Sequence, residues 1–213
     1  MADPRLFRLR VTFHETGRLA MLSHLELARA LERAVRRAQL PFAVSQGFSP
    51  HMRIAFGAAL PVGVGGTAEI FDLFLTDYVP APRALTALQE ASPADLYPTE
   101  ARYIEARDAA ASVALPVSTY EVVLSEAPRA VVVPEAITVV RKKKEKTLMV
   151  ADYLAGSVTQ EGARVTFTLV SKPTGSLRAD AFVRELVAAT VAAGHGAEGL
   201  RPTSFLRVEQ RAE

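Results

Sequence analysis

The order of predicted strands and helices in this 213-residue chain favours an α+β protein made of two tandem ferredoxin-like units, each a β-α-β-β-α-β run with an antiparallel sheet. Alternation of apolar and polar residues predicts the strands, and apolar residues at helical spacing predict the helices. The same order then recurs in pattern, without sequence identity between the halves. A stretch rich in small residues, 109–116, separates the two runs. We therefore predict two domains, 1–112 and 113–213.

The first run begins with segment 5–14, in which large apolar residues alternate with polar ones as in a half-buried strand. Ser23 and Glu26 then have the spacing of a capping box, which predicts the start of a helix that continues to about Gln39. Its apolar positions recur at i, i+4 and i+7, so we expect one buried face. The other elements predicted for this unit are strands at 53–60, 68–75 and 99–107 and a helix at 83–91.

The second run repeats this order with weaker signals. A short helix is predicted at 134–139, although its β-branched residues favour extended backbone. The segments 142–150 and 163–170 are predicted to form paired strands. The remaining elements are strands at 119–125 and 204–209 and a helix at 179–193.

Composition excludes several classes of function. The chain has no cysteine, so it has no disulfide, no Cys-ligated zinc, no Fe–S cluster and no cysteine nucleophile. Its histidines never fall at i, i+3 or i+4 spacing, and we predict neither a metal site nor a cofactor. The N-terminal residues lack the apolar core of a signal peptide, and no stretch approaches 18 apolar residues. We expect a soluble, cytoplasmic protein without a membrane partner.

Charge is distributed unevenly along the chain. Residues 1–60 carry nine arginines against four acids, a balance of +5, whereas 61–115 carry three arginines against eight acids, a balance of −5. Residues 116–213 contribute +2. The basic segment is therefore expected either to pair with the acidic one or to present a basic patch to a phosphate-rich partner.

The first helix carries a stripe of arginines. Arg29, Arg33 and Arg37 follow Glu26 at i+3, i+7 and i+11, which puts them on one face with Arg36 near its edge. Guanidinium groups bind anionic oxygens in bidentate fashion, so the stripe suits phosphates. Ion pairing with the acidic segment, or plain solvation, is the alternative.

The start of this helix is a second candidate for ligand binding. Free backbone N–H groups and the helix dipole favour an anion there. Ser23 is expected to cap the helix rather than to act as a nucleophile. His24 is either a ligand-binding, titratable group or a solvated polar residue.

The loop at 45–51 is longer than an ordinary connection and combines turn residues with an aromatic ring and a histidine. The alternative is a long turn fixed by Pro41 and Pro50. The ligand-binding candidates outside the first helix are Ser45, Gly47, Phe48, His51 and Glu69.

The strongest basic run is 141–146, and its candidate binding residues are Arg141, Lys142, Lys143 and Lys144. It is a candidate for binding nucleic acid. On an exposed strand the same run would protect a sheet edge from aggregation, and both interpretations stay open.

Many of these residues form one recognisable pattern. Its members are Ser23-His24-Leu25, Arg29, Arg33-Ala34, Arg36-Arg37-Ala38, Pro41, Ser45-x-Gly47-Phe48-Ser49-Pro50-His51, Phe56, Leu60-Pro61-x-Gly63 and Glu69. The pattern resembles the radical-SAM-linked protein family, a domain of unknown function found alone or fused to the C-terminus of a radical S-adenosylmethionine protein. The resemblance is strong over 5–75 and weaker beyond. It implies a bacterial cytoplasmic protein linked to RNA metabolism, with a radical SAM protein as a partner. Without cysteine, this chain cannot hold the cluster of such an enzyme.

Three functions are consistent with these features. The preferred one is a non-catalytic accessory module that binds RNA, such as tRNA or rRNA, or another anionic ligand. The second is a metal-independent RNA-processing enzyme with His24 or His51 as general base and Arg29 or Arg33 at the developing phosphorane charge. The third is a protein–protein adaptor that docks through the acidic segment 61–115 without nucleic acid.

Overall fold

A computed structural model describes residues 6–141, 144–173 and 175–212. The chain divides into two compact units, Met1–Leu115 and Pro116–Glu213. Both are mixed α+β with antiparallel strand pairing. The described ranges contain four α-helices in all, three in the first unit and one in the second. None of these helices is long and apolar enough to cross a membrane.

The first unit follows the predicted order of elements. They are β1 (Phe7–Glu15), α1 (His24–Arg37), β2 (Ile54–Phe56), β3 (Gly65–Leu75), α2 (Ala81–Ala91), β4 (Leu96–Ile104) and the short α3 (Ala111–Ala114). A 3₁₀ helix at Gly17–Met21 joins β1 to α1. Within this unit the strands lie in the order β4-β1-β3-β2, each antiparallel to its neighbour.

Alternation along β1 decides which side of this sheet is apolar. Leu9, Val11 and Phe13 are buried in the core, and Val11 lies opposite Phe71 of β3. Helix α1 adds Leu31, Ala34 and Val35 to the buried side chains, while its polar residues remain outside. The helix therefore has one face anchored in the core and another available to solvent.

The intervening residues of β1 form a buried ionic cluster on the other side of the strand. Arg8 Nη2 lies 2.7 Å from Asp72 Oδ2, and Arg10 Nε lies 2.7 Å from Asp72 Oδ1. Both guanidiniums also donate to the carbonyl oxygen of Ala109 at 3.0 Å, and Arg8 donates to that of Asp108 at 2.9 Å. The cluster thus holds the segment that follows β4 against the sheet.

The second unit also has an antiparallel sheet, but a β-hairpin stands where the first unit has its first helix. Its elements are β5 (Val117–Leu124), β6 (Ala136–Arg141), β7 (Lys144–Met149), β8 (Thr159–Glu161), β9 (Arg164–Val170), α4 (Ala179–Ala192) and β10 (Pro202–Arg211). The main sheet of this unit has the order β10-β5-β9-β8, and β6 and β7 form a separate hairpin.

The helix predicted at 134–139 is wrong. Those residues lead into β6, where Ile137, Thr138 and Val139 pair with β7. Branching at Cβ restricts the side chain in a helix and favours the pleated backbone, and here that preference prevails. The predicted pairing of 142–150 with 163–170 fails as a consequence, because β7 pairs with β6 and β9 pairs with β5 and β8. Two tandem ferredoxin-like units are therefore not confirmed.

Candidate functional site

The predicted arginine stripe faces a groove of about 610 Å³ in the first unit, which we call the arginine groove. Four parts of the unit contribute to it: the 3₁₀ helix and its end, α1, the C-terminal end of α2 with the loop after it, and the start of β4. The residues that line it are Leu19, Leu22, Glu26, Arg29, Ala30, Arg33, Arg37, Glu90, Ala91, Ser92, Pro93 and Leu96. It combines cationic and apolar surface.

The helical repeat explains why the three arginines meet there. Positions 29, 33 and 37 are four residues apart, so their side chains leave α1 on one face. Leu31, Ala34 and Val35 point into the core and fix the rotation of the helix about its axis. The predicted stripe is thus brought to one surface by burial of the opposite face.

Arg37 is held by the protein itself. Its Nε donates to the carbonyl oxygen of Ala91 at 3.0 Å, and its Nη2 donates to the same oxygen. That carbonyl belongs to the last turn of α2, where no intrahelical N–H remains to satisfy it. Arg37 therefore ties the end of α1 to the end of α2 and closes that side of the groove.

Arg29 and Arg33 are exposed and much less constrained. Arg29 lies close enough to Glu26 to contribute to the lowered pKa of that carboxyl. Within the described ranges, the guanidinium of Arg33 has no hydrogen-bond or ion-pair partner. An anionic ligand can therefore contact Arg29 and Arg33 without breaking a hydrogen bond of either guanidinium to the protein.

Ser92 supplies an unusual polar atom to the same lining. Its hydroxyl oxygen is buried and makes no hydrogen bond to any residue that the structure describes. Its backbone N–H donates to the carbonyl oxygen of Gln89 at 3.3 Å, which places it where α2 ends. Buried hydroxyls are normally paired, whereas the hydrogen-bonding capacity of this one is not used by the described residues.

The helix cap predicted from Ser23 and Glu26 is confirmed. The Ser23 hydroxyl accepts from the Glu26 backbone N–H at 3.4 Å and donates to Glu26 Oε2 at 2.7 Å. The Ser23 N–H donates to the same carboxylate at 2.8 Å. The side-chain hydrogen bond, then the backbone one, then the charge of Arg29 lower the pKa of Glu26. Ser23 is thus engaged in the cap.

His24 lies at the start of α1 outside the arginine groove. Its ring packs edge-to-face on Phe56, with centroids 5.2 Å apart, and it lines a separate small depression with Glu15 and Pro61. The imidazole is exposed. The structure therefore does not bring His24 into the lining that Arg29 and Arg33 share.

The loop at 45–51 is closed on itself. Val44 and Met52 form an antiparallel bridge, the Ser45 N–H donates to the His51 carbonyl at 2.8 Å, and the His51 N–H donates to the Ser45 hydroxyl at 3.0 Å. Gly47, Phe48 and His51 are exposed, and none of the loop residues lines the arginine groove. This geometry favours the alternative of a long turn over a ligand-binding loop.

The other predicted residues are also dispersed. Glu69 is buried in β3 opposite Phe13, and Arg36 lies over the ring of Phe42 at 5.2 Å, outside the groove lining. Lys142 and Lys143 lie outside the described residues, as do the side chains of Arg141 and Lys144, whose backbones pair at the ends of β6 and β7.

Sequence reasoning missed the second wall of the groove. Glu90, Ala91 and Ser92 come from the end of α2, and in the sequence they look like an ordinary helix terminus before a proline. No periodic signal links them to α1, which lies more than 50 residues earlier. Among the described residues, no group of three or more His, Asp and Glu side chains is placed to hold a metal ion.

Comparison with protein families gives a match over most of the chain. The family model described as "Uncharacterized protein conserved in bacteria (DUF2344)" matches residues 8–179, which include the whole arginine groove. A search of the curated proteins finds no match.

Proposed function

The chain belongs to this bacterial family, and we propose that it is a non-catalytic module that binds RNA through the arginine groove. The observation that carries the proposal is the convergence of Arg29 and Arg33, exposed and without strong protein partners, on a groove of about 610 Å³. Arginines whose hydrogen-bonding capacity is not used by the protein are the groups that phosphates engage.

The spacing of these two arginines suits a phosphate of an RNA strand. A rise of about 1.5 Å per residue separates their Cα atoms by about 6 Å along the axis of α1. Both guanidiniums are therefore close enough to contact the same phosphate. Arg37 keeps its contact with Ala91 and adds positive charge without giving up that bond.

The enzyme alternative receives less support from the geometry. A general base must come within hydrogen-bond reach of the proton that it abstracts. His24 lines a different depression, and His51 belongs to a loop that lines neither it nor the groove. Neither imidazole therefore lines the groove in which Arg29 and Arg33 would bind a phosphate.

The adaptor alternative depends on free acidic side chains in the segment 61–115. Asp72, which contributes to that charge, is fully buried between Arg8 and Arg10. Association with a radical SAM protein, and a cytoplasmic location, are proposed from the sequence resemblance. Both proposals are compatible with RNA binding, because every residue that lines the groove belongs to this chain.

We also propose that the first unit is a ferredoxin-like module. Its order of elements and its β4-β1-β3-β2 sheet support this assignment. The second unit, with the β6-β7 hairpin in place of the first helix, would be a variant of the same plan.

The test is the salt dependence of RNA binding. Anisotropy of labelled tRNA and rRNA fragments is measured with the full chain between 50 and 200 mM KCl, conditions over which phosphate contacts weaken steeply. Arg33→Gln is expected to weaken binding about five- to tenfold and to reduce the slope of log K against log salt by about 1.

Arg36→Gln is the matched control. It removes the same charge from the same helix, but Arg36 lies over Phe42 outside the groove. We expect a smaller loss of affinity in this variant. Absence of binding at 50 mM KCl, or equal losses in the two variants, would overturn the proposal.

A further inference from the structure

We propose that the arginine groove holds a single unstacked nucleotide, with its phosphate on Arg29 and Arg33 and its base hydrogen-bonded at Ser92. This inference rests on the proposed RNA-binding function and adds the form in which the RNA is bound. It depends on three features of the lining that phosphate binding does not require: the open hydroxyl of Ser92, the leucine side chains and the carboxylate of Glu90.

The hydroxyl of Ser92 is the first feature. A buried hydroxyl without a protein partner keeps its capacity to pair with a bound molecule. The residue itself is only half-buried, and its side chain has three staggered rotamers, so rotation about χ1 offers the hydroxyl to a molecule in the groove. A base edge carries the donors and acceptors that a hydroxyl can pair with.

The apolar lining is the second feature. Leu19 and Leu22 are partly exposed in the groove, and a bare phosphate gains nothing from them. The flat face of a nucleobase gains from burial against such surface. A duplex keeps its bases stacked inside and presents phosphates and sugars outward, so it would leave these leucines unused.

The arrangement of charge gives the nucleotide a direction. Arg29 lies about 12 Å along α1 from Arg37, because eight residues at about 1.5 Å each separate them. Arg37 marks the other end of the groove through its bond to Ala91, which adjoins Glu90 and Ser92. The carboxylate of Glu26, beside Arg29, is engaged in the helix cap, whereas that of Glu90 has no partner among the described residues and can accept hydrogen bonds from the N–H groups of a base.

The size of the groove agrees with one nucleotide. Its volume of about 610 Å³ lies in the range of sites for molecules of that size, about 300–1,000 Å³. Extruding a base from a single strand or a loop costs little, because few stacking and pairing contacts are lost. Single-stranded and loop regions are therefore the class of RNA that the groove fits.

The experiment separates base binding from phosphate binding. A labelled ten-nucleotide single-stranded RNA is compared with an abasic ribose–phosphate chain of the same length and charge, at matched salt. The full-length protein is expected to bind the base-containing strand at least tenfold more tightly. Ser92→Ala is expected to lower that affinity about three- to tenfold, with no change for the abasic chain or in the salt slope.

Ser92→Ala also distinguishes ligand binding from a structural role. Because the hydroxyl has no protein partner, removing it is expected to leave the urea midpoint unchanged or slightly raised. Arg33→Gln, by contrast, is expected to weaken binding of both chains and to reduce both salt slopes.

Three outcomes would overturn the inference. Equal affinity for the base-containing and abasic chains, or unchanged affinity in Ser92→Ala, would reject base binding while leaving the proposed RNA-binding function intact. Failure of the protein to bind either chain at low salt would reject both.

Discussion

Two pairs of arginines in the first unit lie in opposite environments. Arg8 and Arg10 are almost fully buried, share the carboxylate of Asp72 and donate to backbone carbonyls. Arg29 and Arg33 are exposed in the arginine groove, and the structure gives them no hydrogen bonds within the described residues. The side chains are identical, and the difference lies in the number of groups around them.

This difference separates a stabilising role from a binding role. A buried guanidinium needs every donor paired, so its removal, or the removal of its counter-ion, acts on folding. An exposed guanidinium without partners contributes little to folding and keeps its donors for a ligand. Substitutions in the buried pair should therefore change stability, and substitutions in the exposed pair should change ligand affinity.

The largest effect is expected for Asp72→Asn. This change leaves Arg8 and Arg10 buried without a counter-charge, which should lower the free energy of unfolding by about 3–5 kcal/mol. Urea denaturation followed by circular dichroism measures it. Glu100→Gln is the control, because Glu100 and Arg102 are exposed and 3.9 Å apart, and should change stability by less than about 0.5 kcal/mol. Equal effects of the two substitutions would show that the buried cluster is not a stabilising one.

A smaller effect is expected for Arg37→Gln. Arg37 lies in the groove with Arg29 and Arg33, but it also donates a hydrogen bond to the carbonyl oxygen of Ala91. It therefore combines features of the exposed, ligand-binding arginines and of the stabilising ones. Loss of that exposed contact should cost about 1 kcal/mol in urea denaturation. The control is Arg83→Gln on the first turn of α2, where the exposed guanidinium has no partner among the described residues. If the two variants were equally stable, Arg37 would be classed with the free arginines.

A still smaller effect concerns pH and the cap of α1. The pKa of Glu26 is lowered from its ordinary 4.5 in the folded protein, chiefly by the Ser23 hydroxyl. A carboxyl with a lower pKa in the folded state stabilises that state above its unfolded pKa, and the contribution is lost as pH falls through the folded pKa. Wild type should therefore lose more stability than Glu26→Gln between pH 6 and pH 3, as measured by urea midpoints. A greater loss in the variant would contradict the assignment.

The smallest effect on folding is expected for Arg33→Gln. The guanidinium has no described partner, so the free energy of unfolding should change by less than about 0.5 kcal/mol while RNA affinity falls. Thermal and urea denaturation of the variant beside wild type provide the measurement. A loss above about 1 kcal/mol would place Arg33 with the structural arginines.

Of the two expectations for the charged segments, the structure shows the pairing, whereas a phosphate-rich partner for the basic segment stays a proposal. Pairing between the basic segment 1–60 and the acidic segment 61–115 occurs where Arg8 and Arg10 meet Asp72. The arginines of α1 make no such pairs in the described structure. Strand register explains the choice, because Arg10 lies directly opposite Asp72 across β1 and β3. Charge counts along the chain carry no information about register.

Local patterns predicted local structure well where several signals agreed. The capping spacing of Ser23 and Glu26 predicted the start of α1, and the helix ends at Arg37, two residues before Gln39 turns into the left-handed region with φ 52°. At 134–139 the signals disagreed, since the repeated order of elements called for a helix and the β-branched residues favoured a strand. Partnership with β7 decided in favour of the strand, and a partner strand is not visible in a local window.

The outer face of α1 follows from the sequence alone. The apolar residues occupy the buried face, and helical periodicity places Arg29, Arg33 and Arg37 together on the opposite one. Only the tertiary structure decided what they face. The end of α2 comes beside α1 because both helices bury their apolar residues in one core. That packing brings Ser92 and Glu90 into the lining with arginines more than 50 residues away in the chain. Long-range packing, which periodicity does not encode, turns a row of charges into a groove.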